Sequence, residues 1–339
     1  MSYLKIIECC IYVGKVGFVS NAFFGSILVF LTVFCIKRQF GTYKKLLVNF
    51  QLIGMVFASL DFLFPTFFHN YNGSLACFSL PSSPSILSKS SQTVILGFYT
   101  GIFSATICIL AIQFLYRYWA IFDARKLKLF NGFNYFIWIT YYVSFGLLWA
   151  TTVSHFLYPD DYGLRYMSEE FEEKYKTNIT DIPILILIPY EENGFKWNSN
   201  YGLLIISGIS VIQYSIISVC AFKMYRGMKE KLEMMSEQHR RIHRQFFKAL
   251  LIQTFAPTLF LFFPAFFILS IPYLDLKFSF PSMIFTSGFT VYPAIDSICI
   301  MSCVSEYGRC FRKAISPQRK YTENLSVDVS RATATVTRS

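Results

Sequence analysis

Leu110-Ala111-Ile112-Gln113-Phe114-Leu115-Tyr116-Arg117-Tyr118-Trp119-Ala120-Ile121 closes an apolar run that begins at Thr93. An arginine arrives where the run gives out, with aromatic residues on both sides. Long basic side chains at the end of a membrane helix keep their stems in the apolar zone and send the charged head toward headgroups and water. The stretch therefore reads as the inner end of a spanning helix, with Arg117 at its mouth.

The whole chain agrees with a membrane reading. Of its 339 residues 54% are hydrophobic and 19% aromatic, and only 15% are charged, against about 25% in soluble domains. Seven segments are long and apolar enough to cross a bilayer, which takes about 20 residues. They are 16–36, 46–68, 93–115, 133–157, 201–222, 250–271 and 281–303. Lysines and arginines set the orientation, because they collect in cytoplasmic loops. With the N-terminus outside, the inner side holds 23 of the 31: Lys37, Arg38, Lys44 and Lys45; Arg117, Arg125, Lys126 and Lys128; eight from Lys223 to Lys248; and seven from Arg309 to Arg338. The expected fold is an all-α bundle of seven transmembrane helices, N-terminus outside and C-terminus cytoplasmic. Residues 1–15 form a short outer segment without a signal-peptide pattern. Residues 304–317 suit a membrane-surface helix, and 318–339 a disordered tail. The net charge of +11 is then a cytoplasmic skin facing anionic lipid, not a nucleic-acid groove.

The outer segments are less regular. Residues 158–200 are acidic at Glu169, Glu170, Glu172 and Glu173. They also carry the proline-bounded run Ile182-Pro183-Ile184-Leu185-Ile186-Leu187-Ile188-Pro189, which is too short to span. It reads as a strand on the outer rim of the bundle or as a lid over a pocket. Glycosylation sequons at Asn72 and Asn178 fall in outer loops, and a third at Asn324 falls in the tail. The nine cysteines show no C-x-x-C pair, so neither a zinc site nor a disulfide framework follows. Cys77 pairs with Cys9 or Cys10, or all three are free.

Ionisable groups inside spans are costly and default to functional hypotheses. Asp61 lies in the second span, Asp296 in the seventh, and His155 near the outer end of the fourth. The two aspartates form a packing network with Asn21, Asn49 or water, or a network that repacks on activation. Pro257, Pro264 and Pro293 each remove a helical hydrogen bond and can kink their helices, either as static packing or to let the inner half of a helix swing. Arg117 either anchors its helix at the interface or holds the bundle closed and later contacts a cytoplasmic partner. Cys303 and Cys310 lie beside Arg309, Arg312 and Lys313 and are palmitoylation candidates. One histidine in the spans is too little for an intramembrane metal hydrolase, so no enzyme, metal or cofactor is expected.

In this order, several stretches resemble the nematode serpentine chemoreceptors of the Str class, within the G-protein-coupled receptor architecture. They are Gly41-Thr42-Tyr43-Lys44, His69-Asn70-Tyr71-Asn72-Gly73-Ser74, Leu110 to Ile121, Gln253-Thr254-Phe255-Ala256-Pro257 running on to Pro264, Tyr292-Pro293-Ala294-Ile295-Asp296 and Arg312-Lys313-Ala314-Ile315. The resemblance implies binding of a small environmental chemical, coupling to a heterotrimeric G protein, and a place in the plasma membrane of a sensory cilium. It makes Tyr116, Arg117, Tyr118, Pro293, Asp296 and Asp61 the coupling and switch residues. Against rhodopsin-like receptors, Tyr116 stands where an acidic residue would precede the arginine. Tyr292 and Asp296 replace the asparagine and tyrosine of the seventh-helix motif, and 158–200 contain no cysteine. Only Arg117 and Pro293 carry over residue by residue.

For such a receptor the ligand pocket lies between the outer halves of the third, fifth, sixth and seventh spans, under residues 158–200. Tyr99, Thr100, Phe266, Phe267, Phe285 and Thr286 have suitable depth. The alternatives are a ligand-gated channel with seven spans and a small-solute transporter; the latter is disfavoured by the lack of internal repeats.

Overall fold

Backbone amides in hydrocarbon must find partners within their own segment, and a helix provides them. The computed structural model describes residues 2–35, 42–80, 87–191, 194–233, 258–304 and 306–310, with isolated positions between 236 and 255. Helix α1 is Tyr3–Phe30, prolonged by π-helical Leu31–Cys35. Then come α2, Tyr43–Leu63, α3, Lys89–Phe122, α4, Tyr135–Phe156, and α5, Asp161–Tyr175. Helix α6 is Trp197–Glu233, and α7, Phe263–Tyr273, follows π-helical Thr258–Phe262. Short α8, Met283–Thr286, leads into α9, Gly288–Cys303. Among the described residues six helical stretches are long and apolar enough to cross a membrane: Tyr3–Phe34, Tyr43–Leu63, Lys89–Phe122, Gly132–Phe156, Trp197–Gly227 and Met283–Cys303.

The boundaries differ from the expected ones in instructive ways. The first helix begins at Tyr3, thirteen residues before the expected start of the span at Val16. The second stops at Leu63, because Pro65 follows and the chain turns into a strand. The third and fifth run on past Leu115 and Phe222. The sixth span is described in part only, as Thr258–Phe262 and α7; Pro257 lies outside the described residues. So do Gly41, the stretch from Gln253 to Pro257 apart from Phe255, and everything from Phe311 onward, including the Asn324 sequon. Of the expected surface helix, residues 306–310 are helical.

The end of the bundle that holds the segments between α2 and α3 and between α4 and α6 is not a set of loops. Strands β1, Phe67–Tyr71, β2, Ser74–Phe78, β3, Ile184–Leu187, and β6, Ser279–Phe280, form one antiparallel sheet in the order β3-β2-β1-β6. A smaller hairpin pairs β4, Tyr190–Glu191, with β5, Gly194–Phe195. The β1–β2 hairpin turns on Asn72 and Gly73, both with positive φ, 47° and 77°. That is the Asn-Gly turn whose twist suits a two-residue hairpin. A Cβ at Gly73 would also stand 2.4 Å from Asp275 Oδ1. Register pairs His69 with Ala76, Cys77 with Leu185 and Asn70 with Phe280.

Both faces of this sheet are covered. Side chains alternate across a strand. Phe67, Ala76, Phe78, Ile184 and Ile186 face Met167, Phe171 and Tyr175 of α5. Leu75, Cys77, Leu185 and Leu187 face Trp149, Val153, Ile206 and Ile268 of the bundle. The run at 182–189 is therefore a rim strand and a cover at once.

One buried polar tie fixes α5 on the sheet. His69 is 0% exposed, and its Nε2 lies 3.1 Å from Glu170 Oε1. Ser279 of β6 donates to the same oxygen at 2.6 Å. Burial alone would raise the Glu170 titration, but the bonds from His69 and Ser279 outweigh it and hold the carboxyl below its ordinary range. A lowered carboxyl stabilises the fold above the ordinary carboxylate range and ceases to do so as acid protonates it. Replacing Glu170 by Gln is expected to weaken this tie by about 2 kcal/mol. Amide exchange in 161–175 should then rise by more than tenfold, and acidification of the unaltered protein below the carboxylate range should raise it in the same segment. Unchanged exchange in both experiments would remove the tie from the account of the cap.

Candidate functional site

Helix α3 is the axis of the site. It packs against α4, α6 and α2, and its N-terminus is capped by Ser88, which accepts from the Ser91 amide at 3.2 Å. Small residues let α4 approach: a Cβ at Gly101 would stand 2.6 Å from the Gly146 carbonyl oxygen and 2.8 Å from Ala150 Cβ. Close backbone approach through small residues is the usual way helices associate in lipid.

Beneath the sheet lies a cavity of about 100 Å³. The sheet roofs it through Leu75, Cys77 and Leu185, and Tyr99, Thr100 and Phe103 of α3 line one side. Trp149, Ile206, Ile268, Thr286 and Phe289 complete the wall, and Phe57 and Phe103 close the floor. Tyr99 stacks on Phe57 with ring centroids 4.6 Å apart. The threonine hydroxyls are engaged locally: Thr100 donates to the Gly97 carbonyl at 2.8 Å and Thr286 to that of Met283 at 3.3 Å. The cavity is thus almost wholly apolar, and the Tyr99 hydroxyl turns away from it toward Asp61.

Of the residues expected to line a pocket, Tyr99, Thr100 and Thr286 do so. Phe266, Phe267 and Phe285 do not: they are exposed on the outside of the bundle, Phe266 by 72%. Their neighbours Ala265, Ile268, Leu269 and Phe289 take the inward positions. Cys77 is a free thiol and buried; Cys9, exposed, and Cys10, half-buried, are free as well. Burial pushes the Cys77 thiol up, which makes it a poor nucleophile. Asn72 at the hairpin tip and exposed Asn178 lie at the same end of the bundle as Tyr3, whose ring contacts His69 and Tyr175. His155 is exposed near the C-terminal end of α4.

Arg117 does not reach out to headgroups. It is 6% exposed, and its guanidinium carbon lies 3.5 Å from the centre of the Tyr43 ring. The helix is enclosed at this depth, so the charge is taken up by aromatic faces and hydroxyls. Tyr116, 5.9 Å away, packs on Tyr43 and Phe130. Tyr307 adds its field and is tied to Thr32 at 2.8 Å. Tyr118 faces away, stacked on Phe122 at 5.1 Å and beneath Lys223. Half-buried Cys303 and Cys310 pack against the same inner cluster.

The two aspartates do not meet. Asp296 is fully buried near Tyr43 and Tyr292, and the adjacent Ser297 bonds Gln51 in the middle of α2. Ten helical residues separate Gln51 from Asp61, roughly 15 Å of rise. The network in the bundle centre is built instead from Asn21, Gln51 and Ser297. Gln51 donates to Asn21 at 3.0 Å, and Ser297 donates to Gln51 and to the Pro293 carbonyl, each at 2.8 Å. Asn49 donates to the Tyr135 hydroxyl at 2.8 Å.

A family model described as the serpentine type 7TM GPCR chemoreceptor Str matches residues 10–315. The chain belongs to this family. It is 34% identical over 302 residues to the "G-protein coupled receptor str-33" of Caenorhabditis elegans, covering 87% of each. It is 23% identical over 310 residues to the "Serpentine receptor class r-10" of the same organism, covering 87% of this chain and 86% of that one. The chain is therefore a multi-pass membrane protein of a nematode receptor family, and that family is one of receptors and not of enzymes.

The tyrosine setting of Arg117 yields a graded prediction. Tyr43→Phe keeps the ring face and should cost about 1 kcal/mol. Tyr43→Ala leaves a buried cation over a hole and should cost about 3 kcal/mol or more. Thermal unfolding of the detergent-solubilised receptor checks this, and equal losses for the two variants would contradict the ring-face contribution.

Proposed function

We propose that this chain is a chemosensory receptor: it binds a small, largely apolar organic molecule in the cavity beneath the sheet and activates a heterotrimeric G protein at the inner face around Arg117. The cavity carries the reading. It is roofed by the sheet and lined almost wholly by apolar side chains, with few polar groups in reach, which is how small organic ligands are held. Family membership adds the coupling to a G protein. In this reading ligand binding shifts a population between two bundle states, with Tyr116, Arg117, Pro293 and Asp296 in the part that rearranges. The lysine and arginine distribution supports an outer N-terminus, a cytoplasmic C-terminus and contact with anionic lipid. The plasma membrane of a sensory cilium is the location that fits detection of an external chemical. Asn72 and Asn178 would carry glycans, and Cys303 or Cys310 an acyl chain.

The deciding experiment expresses the chain with and without a G-protein α subunit and applies a panel of small volatile and water-soluble compounds. A calcium or cyclic-nucleotide response that needs the α subunit is expected. A ligand-evoked membrane current without it would give the function to a channel. Two variants sharpen the result. Leu185→Trp should fill the cavity and abolish the response with surface level retained, whereas Leu204→Trp, on an exposed face of α6, should leave it intact. Arg117→Ala should reach the surface and fail to signal. An epitope at residue 1 should stain unpermeabilised cells; staining only after permeabilisation would invert the topology.

A further inference from the structure

Beside the apolar cavity is a second, larger chamber of about 260 Å³ between α1, the end of α2 and the start of α8. Its walls include Cys10, Lys15, Asp61, Thr66, Thr286 and Ser287. Thr286 lines both chambers. Tyr99 joins them as well: its ring lies in the apolar cavity on Phe57, and its hydroxyl is beside the Asp61 carboxyl.

Asp61 is the unusual group here. Its Oδ2 lies 3.0 Å from where a Cβ on Gly14 would stand, so the carboxyl points toward α1 and not away from the bundle. The Thr66 amide and the Tyr99 hydroxyl reach it, but among the described residues it takes part in no ion pair. A carboxylate at this depth is costly without a cation. Lys15 lines the same chamber, yet it is exposed. Its long stem lets the ammonium reach bulk water on its own, whereas the half-buried Asp61 faces the chamber. The unmet charge in the chamber is therefore negative.

We propose that the Asp61 chamber is a head-group subsite for a protonated primary amine, whose apolar body lies along Tyr99 in the adjoining cavity. This rests on the reading of that cavity as the ligand site. The ligand class becomes aliphatic or arylalkyl amines, with the ammonium on Asp61 and the chain between Phe57, Phe103 and Phe289.

The test uses the full chain, purified in lipid nanodiscs, and three probes that share one chain and differ in head group: n-hexylamine, hexan-1-ol and hexanoate. Thermal unfolding is followed against probe concentration at neutral pH. Hexylamine is expected to stabilise at about tenfold lower concentration than hexan-1-ol, and hexanoate least of the three. Asp61→Asn should erase the preference of amine over alcohol and leave the response to alcohol, whereas Lys15→Gln should keep or enlarge it. Equal action of amine and alcohol on the unaltered protein, a lead for hexanoate, or an Asp61→Asn protein that still prefers the amine would each overturn the subsite. The head-group order on the unaltered chain decides the matter even where Asp61→Asn does not fold. The receptor reading fails separately: amine-selective stabilisation with no response that depends on the α subunit would sink signalling and leave the subsite standing.

Discussion

Helix α3 runs through the middle of the bundle, and from Ile107 to Phe114 every residue is buried. A helix with neighbours on all sides has no face from which a charge can reach water. Arg117 therefore cannot snorkel, although it stands where an arginine ordinarily would. The tyrosines around it follow from that enclosure. A buried guanidinium needs donors' partners and an electron-rich face, and Tyr43 supplies a face while tying the start of α2 to the end of α3. With α4 drawn in over Gly101, the larger cavity against α3 lies beneath the sheet, at the other end of the helix from Arg117.

Membrane-spanning segments were legible in the sequence because hydrocarbon demands length and apolarity and nothing else. Which side of each helix faces inward was not. In water a helix shows its core by contrast between an apolar and a polar face. In lipid both faces are apolar, and the contrast vanishes. Phe266 and Phe267 sit beside Ala265 and Ile268, and no periodicity separates the pair that faces lipid from the pair that faces the cavity. Thr286 and Tyr99 were found by depth along their helices, a coordinate that sequence position does provide. Phe285, one residue from Thr286, was lost to rotation about the helix axis.

The sheet was legible in pieces. Asn72-Gly73 between two apolar stretches is a strong hairpin signal, but it also begins a sequon, and the loop reading absorbed it. The run from Ile184 to Leu187 lacks the alternation expected of a strand with one wet face. The structure gives the reason: α5 covers one face and the bundle the other, so both sets of positions are apolar. His69 and Glu170 are 101 positions apart, and nothing in either segment announces the other. Pairings of that kind depend on the folded topology alone.

The cavity and Arg117 are far apart, and this limits how a signal could pass between them. From Phe103 to Arg117 is fourteen residues of α3, about 21 Å, in a helix too enclosed to shift by itself. Helix α9 reaches both regions over a shorter path. Phe289 lines the cavity, Tyr292 and Pro293 border a void of about 20 Å³ under the floor formed by Phe57 and Phe103, and Asp296 lies near Tyr43. Pro293 removes the amide that would bond the Phe289 carbonyl, so the helix is locally less constrained. Close-packed interiors do not deform continuously; they change between discrete arrangements, and a void beside a proline is slack for a second one. In the proposed receptor, a ligand that pressed Phe103 inward would crowd the void that Tyr292 and Pro293 border. From there the Gln51–Ser297 bonds lead to α2, whose first residue holds the arginine.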